Sequence, residues 1–409
     1  MSKGLLIITQ YFPPEVGAPQ NRLYELSLRL KNHGFDITVL TSMPNYPAGE
    51  IHEEYKGKKY FYEELEGIKV HRTSIYATSS KGIVKRLRNY FSFVYSSYFT
   101  GKKKIKTNFD YVLCESPPLF LGITALKLSK RFNAKFIFNV SDLWPESAEK
   151  LGLVSNKLML KFAYKLESYL YKNADLITGQ TQGIVSSIKT RFPQYKTYWL
   201  PNGVDLDFFN PDNYDKSWRK AKGYEKKDIL ILYAGIIGHA QGLEIILKTA
   251  DLLRDYKHVK FILLGTGPLK KELVKQKESL NLKNVVFENL VQKKEIPQII
   301  SSVDISLVPL KKLDLFKGAI PSKIFENCAM KKMLLLGVEG EAKKLFIDEG
   351  NAGLFYEPEN EIELKNCIID IINHPEWIDS FGENGRIFVD KKFNRNKIAE
   401  QFKNELNSL

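Results

Sequence analysis

Short, unbroken apolar runs alternate with helix-period stretches along most of this chain. LLIIT (5–9) is followed by Leu23, Leu26 and Leu30, spaced for one face of a helix. DITVLT (36–41), YVLC (111–114), KFIFNV (135–140), DLIT (175–178) and TYWL (197–200) predict further strands, with helices at 119–131 and 156–172 between the later ones. Runs that are apolar at successive positions belong to strands covered on both faces, as in a parallel sheet flanked by helices. The rhythm pauses at LPNGVDLDFFNP (200–211), a turn-rich link with two prolines, and then restarts. DILILYAG (228–235), VKFILLG (259–265), NVVFE (284–288), VDISLVP (303–309) and KMLLLGV (332–338) are its strands. The expected fold class is α/β: two facing, doubly wound, Rossmann-like parallel-sheet domains over 1–200 and 201–375. Ligands of such sheets bind at the carboxyl ends of the strands, and with two facing domains the default site is the cleft between them.

A chain of 409 residues is too long for one ordinary core, which agrees with two domains. With 44% hydrophobic and 26% charged residues it has the make-up of a folded soluble protein. The net charge of +14 is lopsided: residues 1–200 hold 29 Lys+Arg against 16 Asp+Glu, whereas 201–409 hold 32 against 31. The first half is therefore expected to meet something anionic. Cys114, Cys328 and Cys367 are too widely spaced for a disulfide framework or a metal-ligand pair, and a reducing cytoplasm fits best. The opening MSKGLLIITQYFPPE has too short an apolar run for a signal peptide, and no stretch approaches the roughly 20 apolar residues of a membrane span.

The basic excess is densest in KGIVKRLRNYFSFVYSSYFTGKKKIK (81–106), which has eight Lys/Arg, six aromatics and no acid. Ile83, Leu87, Phe91, Val94 and Tyr98 fall on one helical face. A helix of this kind can lie on an anionic leaflet, gaining about 1 kcal/mol per nearby Lys or Arg. It can also be a domain helix with a solvated basic rim, or bind single-stranded nucleic acid. The flanking placement of the cations favours the membrane.

Four short stretches could carry chemistry. GAIPSKIFENCAM (318–330) opens a helix at Pro321-Ser322 and puts Lys323 and Glu326 on one face in apolar surroundings. A lysine at a helix start adds about 4 kcal/mol of raw attraction for a phosphate at 4 Å and an effective dielectric of about 20. Glu326 can accept both hydroxyls of a ribose. The plainer alternative is a surface ion pair worth about 0–1 kcal/mol. In GTGPLKK, Gly265 and Gly267 let backbone amides approach a phosphate, and Glu288 stands where a dinucleotide fingerprint needs an acid. Lys270 occupies the place of the third glycine, so another nucleotide is favoured over NAD, and a tight turn without ligand is an equal alternative. In QYFPPEVGAPQNRLYEL, Gly17 either lets the backbone approach a diphosphate or only permits a turn, and Arg22 follows on the helix. In NVSDLWPESAEKLG, Asp142 lies just past a strand end, where a carboxylate can orient a sugar hydroxyl. Alternatively it caps the next helix while Trp144 packs.

Taken in order, these segments with TSMPNYPAGEI, PNGVD and YAGIIGHAQGL resemble the retaining nucleotide-sugar glycosyltransferases of family 4. That family has the GT-B architecture, and the likeness covers essentially the whole chain. It is closest to the bacterial subgroup that builds O-antigen, capsule or colanic-acid-like polysaccharides, including acetylfucosamine transferases. The resemblance implies that the C-terminal helices, 376–409, pack back onto the first domain. It assigns Glu326 to the ribose, Gly17 to the diphosphate loop and Val291 to the base. Gly238, Gln241, Gly265, Gly267, Ile320, Ser322 and Lys323 complete the implied donor site. Arg22, Asn45, Asp142 and Glu146 lie on the implied acceptor side, and Asp142 and Lys323 are the catalytic candidates. Most members carry an Arg and a Lys where this chain has Ile236 and Gln241, and a Glu where it has Gly318. Lys323 is expected to supply the missing positive charge.

The expected activity is front-side, metal-independent transfer of a sugar, an N-acetylated hexose, from a UDP-sugar to a lipid-diphosphate-linked acceptor. The enzyme is expected on the cytoplasmic face of the cell membrane, with an anionic membrane surface as partner and no nucleic acid. A nucleotide-sugar epimerase of the same architecture and a single-stranded nucleic-acid-binding protein are the rivals.

Overall fold

Eight strands form the first sheet: β1 (Lys3–Ile8), β2 (Phe35–Ser42), β3 (Tyr60–Leu65), β4 (Ile68–Thr73), β5 (Tyr111–Ser116), β6 (Lys135–Val140), β7 (Leu176–Gly179) and β8 (Thr197–Trp199). Their order is β3-β4-β2-β1-β5-β6-β7-β8, and every pair is parallel except the β3–β4 hairpin. The computed structural model describes residues 2–15, 17–80, 82–150, 154 and 156–409. Along β1, Leu6 and Ile8 pack with Val112, Phe136 and Phe138 on one face, while Leu5 and Ile7 pack with Leu113 and Ile137 on the other. Both faces being covered is why the run LLII has no polar alternate.

The second sheet holds β9 (Ile229–Ala234), β10 (Val259–Leu264), β11 (Val285–Glu288), β12 (Ile305–Pro309), β13 (Met333–Gly337) and β14 (Gly353–Phe355). Its order is β11-β10-β9-β12-β13-β14, all parallel. The chain forms two compact units, Met1–Asn202 with Arg395–Leu409, and Gly203–Asn394. Expected as one block on the first domain, the C-terminal helices separate instead. The helix Glu376–Phe393 stays in the second unit, because Phe388 and Phe393 join an aromatic cluster with Phe325 and Phe346. Only the helix Arg395–Asn407 packs on the first sheet, through Ile398, Ala399, Phe402 and Leu406.

The helix Ile83–Lys104 is rotated from the face its pattern predicts. Asn89, Phe93, Ser97 and Gly101 point inward, and Gly101 is needed because a Cβ there would lie 2.6 Å from Leu128 Cδ1. The exposed aromatics are Phe91, Tyr95 (69% exposed) and Phe99, with Val84, while Leu87, Val94 and Tyr98 are half-buried. The side chain of Ile83 lies outside the described residues. Small residues at 97 and 101 let the helix settle closely against its neighbours, and that proximity outweighs apolar count in choosing the inner face. Among the described residues, no helix is long and apolar enough to cross a membrane.

Candidate functional site

Both sheets have a topological switch point where strand order reverses, between β1 and β5 in the first and between β9 and β12 in the second. Crevices at such points are where open α/β sheets bind ligands. Of the predicted donor residues, all but Gly17, which lies in the first unit, fall at the carboxyl edge of the second sheet: Gly238 and Gln241 after β9, Gly265 and Gly267 after β10, Val291 after β11, and Ile320, Ser322, Lys323 and Glu326 at and on the helix Ser322–Ala329 after β12.

That helix is anchored from below. Ile324, Phe325 and Cys328 are buried, and Phe325 meets Phe346 and Phe393 at centroid distances of 5.4 and 5.0 Å. Its first turn holds Lys323 partly buried, with Nζ 3.8 Å from the centroid of the Tyr233 ring. Tyr233, the penultimate residue of β9, donates its hydroxyl to Ile236 O at 2.5 Å. Gly235 is in the left-handed half of conformational space, with φ of 147°, and a Cβ on it would stand 2.9 Å from Lys323 Nζ. The glycine thus makes room for the ammonium across the switch point. Burial pulls the Lys323 pKa down to about 7, and Glu326, one turn on, opposes the shift. Ser322 is exposed, and Ile320, Glu326, Gln241 and Val291 are half-buried.

Gly265 and Gly267 interlock two loops. At φ of 146° and 159°, Cβ atoms there would come within 1.9 Å of Gly235 O and 2.2 Å of Ile237 O. Ile237 N donates to Thr266 O at 2.9 Å and Leu269 N to Ile237 O at 3.1 Å. Gly238, extended with φ of −136°, begins the short helix that holds Gln241. Lys270 donates to Gly265 O and Glu288 O at 2.8 and 2.7 Å, and Lys222 bridges the Glu288 carboxylate at 2.7 Å. The acid and the third position of the dinucleotide fingerprint are therefore occupied by internal partners.

In the first unit, Arg22 Nη2 bridges Glu115 at 2.7 Å across the β1/β5 switch point and donates to Ser141 Oγ at 2.9 Å. Glu115 also accepts from Asn139, whose Oδ1 accepts from Thr178 at 2.6 Å. Arg22 is only 5% exposed, so it supports the strand ends from within. Asn45 is likewise buried. Its side chain donates to Met43 O, while its backbone N–H, with those of Tyr46 and Phe12, donates to the buried carboxylate of Glu15. Burial raises the Glu15 pKa. Gly17 has φ of 177°, ordinary extended backbone, and precedes the helix Ala18–Asn32. Asp142 is exposed just beyond β6 and accepts from Ser147 Oγ at 2.9 Å, while Glu146 bridges Lys150. Tyr233, Gly235, Glu15 and Glu115 were not singled out from sequence.

A cavity of about 720 Å³ opens at the opposite edge of the second sheet, beside Asp228 and His258 at the amino ends of β9 and β10. Strand topology directs ligands away from it.

Two parallel-sheet units, each with polar residues gathered at a switch point, define a GT-B scaffold. Residues 20–208 match the family described as Glycosyltransferase Family 4, and 215–388 match Glycosyl transferases group 1. The chain belongs to the glycosyltransferases built from these two domains. It is 23% identical to a putative colanic acid biosynthesis glycosyl transferase of Escherichia coli, covering 98% of this chain and 99% of that one. It is 21% identical to the O-antigen chain mannosyltransferase C of Escherichia coli, covering 99% and 98%. Among solved structures, HepE of Anabaena in complex with UDP and glucose superposes with a TM-score of 0.71 at 16% identity, covering all of both chains.

Proposed function

We propose that this glycosyltransferase moves a sugar, an N-acetylated hexose, from a UDP-sugar to a lipid-diphosphate-linked acceptor with retention of configuration, in the assembly of a bacterial surface polysaccharide. It works at the cytoplasmic face of the cell membrane, with the basic helix Ile83–Lys104 toward the anionic leaflet. The names of the colanic acid and O-antigen relatives support the pathway class, and the UDP complex of HepE supports the donor class. The observation that carries the reading is the Lys323 ammonium, held over Tyr233 beside Gly235 at the switch point, with Glu326 one turn on.

In this reading the second unit holds the donor. Lys323 and nearby backbone amides stabilise charge on the departing diphosphate, and Glu326 accepts from the ribose hydroxyls. The acceptor hydroxyl, oriented by Asp142 of the first unit, attacks the anomeric carbon on the face from which the diphosphate leaves. The bond from that carbon to the diphosphate oxygen breaks, and the hydroxyl proton passes to the leaving phosphate oxygen. No resident metal is assigned to the step, so EDTA should leave the rate unchanged.

The test is release of UDP from a panel of UDP-sugars. Lys323→Ala should slow turnover by about 100-fold or more, as for loss of one preorganised oxyanion partner. Glu326→Ala should weaken UDP about tenfold, the weight of a charge-assisted hydrogen bond of about 1.5 kcal/mol. Wild-type turnover and UDP affinity in both variants would remove the donor assignment.

A further inference from the structure

The first unit contains a second concave feature. Between the helices Ile83–Lys104, Leu121–Phe132 and Lys157–Asn173 lies a cavity of about 420 Å³, within the roughly 300–1,000 Å³ of small-ligand sites. Its lining is almost wholly apolar and includes Leu87, Phe91, Phe120, Trp144, Leu160 and Leu166. We propose that this groove seats the hydrocarbon chain of a lipid-phosphate acceptor, an assignment that rests on the lipid-linked reading above.

Depth distinguishes a single chain from a bilayer surface. Ala148, Leu160 and Ala163 form a floor that is 3, 8 and 5% exposed, whereas Phe91 and Phe162 at the lip are 47 and 64% exposed. A flat leaflet reaches the lip residues, together with Val84, Tyr95 and Phe99 on the outer face of the first helix. Only a separate, narrow chain reaches the floor. The aromatic wall is preformed, with Phe120 packed between Phe91, tilted at a centroid distance of 4.6 Å, and Trp144, edge-on at 5.5 Å.

Charge around the opening selects the headgroup. Arg86 lines the groove, and the exposed Lys85, Lys157, Lys161 and Lys165 on the outward sides of the two flanking helices add positive field around it without lining it. The acids nearby already have partners: Glu149 accepts from Tyr164, Glu146 bridges Lys150, and buried Glu167 bridges Arg191. A chain ending in phosphate matches this rim and a neutral chain does not. The inner wall also leads to the acceptor side, because Trp144 N donates to Asp142 O at 2.9 Å. A lipid lying in the groove with its phosphate toward Trp144 is directed at the loop that holds Asp142.

The experiment uses the full chain with monomeric geranylgeranyl phosphate, the corresponding alcohol, and vesicles containing phosphatidylglycerol. Saturable one-to-one binding of the phosphate, at least tenfold tighter than the alcohol, is expected by equilibrium dialysis. Ala163→Phe and Ala148→Phe each fill the floor without altering the lip. Each should weaken chain binding at least tenfold while leaving UDP affinity and vesicle flotation at wild-type values. Reversing Lys102, Lys103 and Lys104 to Glu should do the opposite, reducing flotation but not chain binding. Absence of saturable binding, or unchanged binding in both folded groove variants, overturns the proposal. So does parallel loss of flotation without any binding of the monomeric lipid, which makes the groove a bilayer contact. A dimer-to-monomer change in the groove variants overturns it in favour of a second copy. Lipid-linked transfer that survives loss of chain binding overturns the groove alone. Transfer only to lipid-free saccharides, with chain binding intact, overturns the acceptor reading instead.

Discussion

An ammonium set against an aromatic ring and shielded from water holds its proton less tightly than one in solvent. Lys323 is in that position, with a pKa near 7 in the free protein, and its value as a diphosphate partner depends on staying charged. Below about pH 7 the cation is present, and as pH rises through that value it is lost. UDP affinity should accordingly weaken between about pH 7 and 9. Lys323→Ala, which shares the titration of the phosphates themselves, should lack this component, and calorimetric titration of both proteins across that range checks it. The same lowered pKa means that the unfolded chain binds more protons than the folded one above pH 7, so this group's destabilisation is full in acid and relieved toward pH 10. At the level of residues, Lys323 and Glu326 were legible because their i, i+3 spacing is local. Tyr233 and Gly235, ninety residues earlier, were not, because nothing in their own neighbourhood announces a lysine above them.

Loops and helices show the same division. Turn glycines after β10 were visible, but the reason for them is the backbone of the loop after β9, which passes within contact of Gly265 and Gly267. Gly265→Ala should therefore destabilise the second unit by about 2–4 kcal/mol through steric strain and a positive φ, more than a solvent-exposed glycine would. Chemical denaturation, with Gly318→Ala as the open-space control, measures it. The β3–β4 hairpin was missed because YFYEEL is half polar. As an edge strand it keeps charges such as Glu63, paired with Arg72, and its turn is marked only by Glu66-Gly67, both at positive φ. The inner face of the helix Ile83–Lys104 was misjudged because apolar spacing does not report how closely Ser97 and Gly101 let the helix approach its neighbours.

The whole molecule depends on a crossover of chain that composition does not reveal. Fifteen residues, Arg395–Leu409, belong to the unit formed by the opening half, and their helix covers the β1 face with Ile398, Ala399, Phe402 and Leu406. Deleting 395–409 should lower the unfolding temperature of the first unit by about 10 °C or more, from about 5 kcal/mol of lost burial, and leave the second unit's transition in place. Scanning calorimetry of the full and shortened chains tests this. Two sheets, their parallel strands and the basic bias of the first half follow from periodicity and charge, which are properties of a chain read in one dimension. The lysine over its tyrosine, the interlocked glycine loops, the buried face of the basic helix and the apolar groove bring together residues distant in sequence. They arise only when packing and exclusion of water act on the folded chain, so the tertiary structure alone decided them.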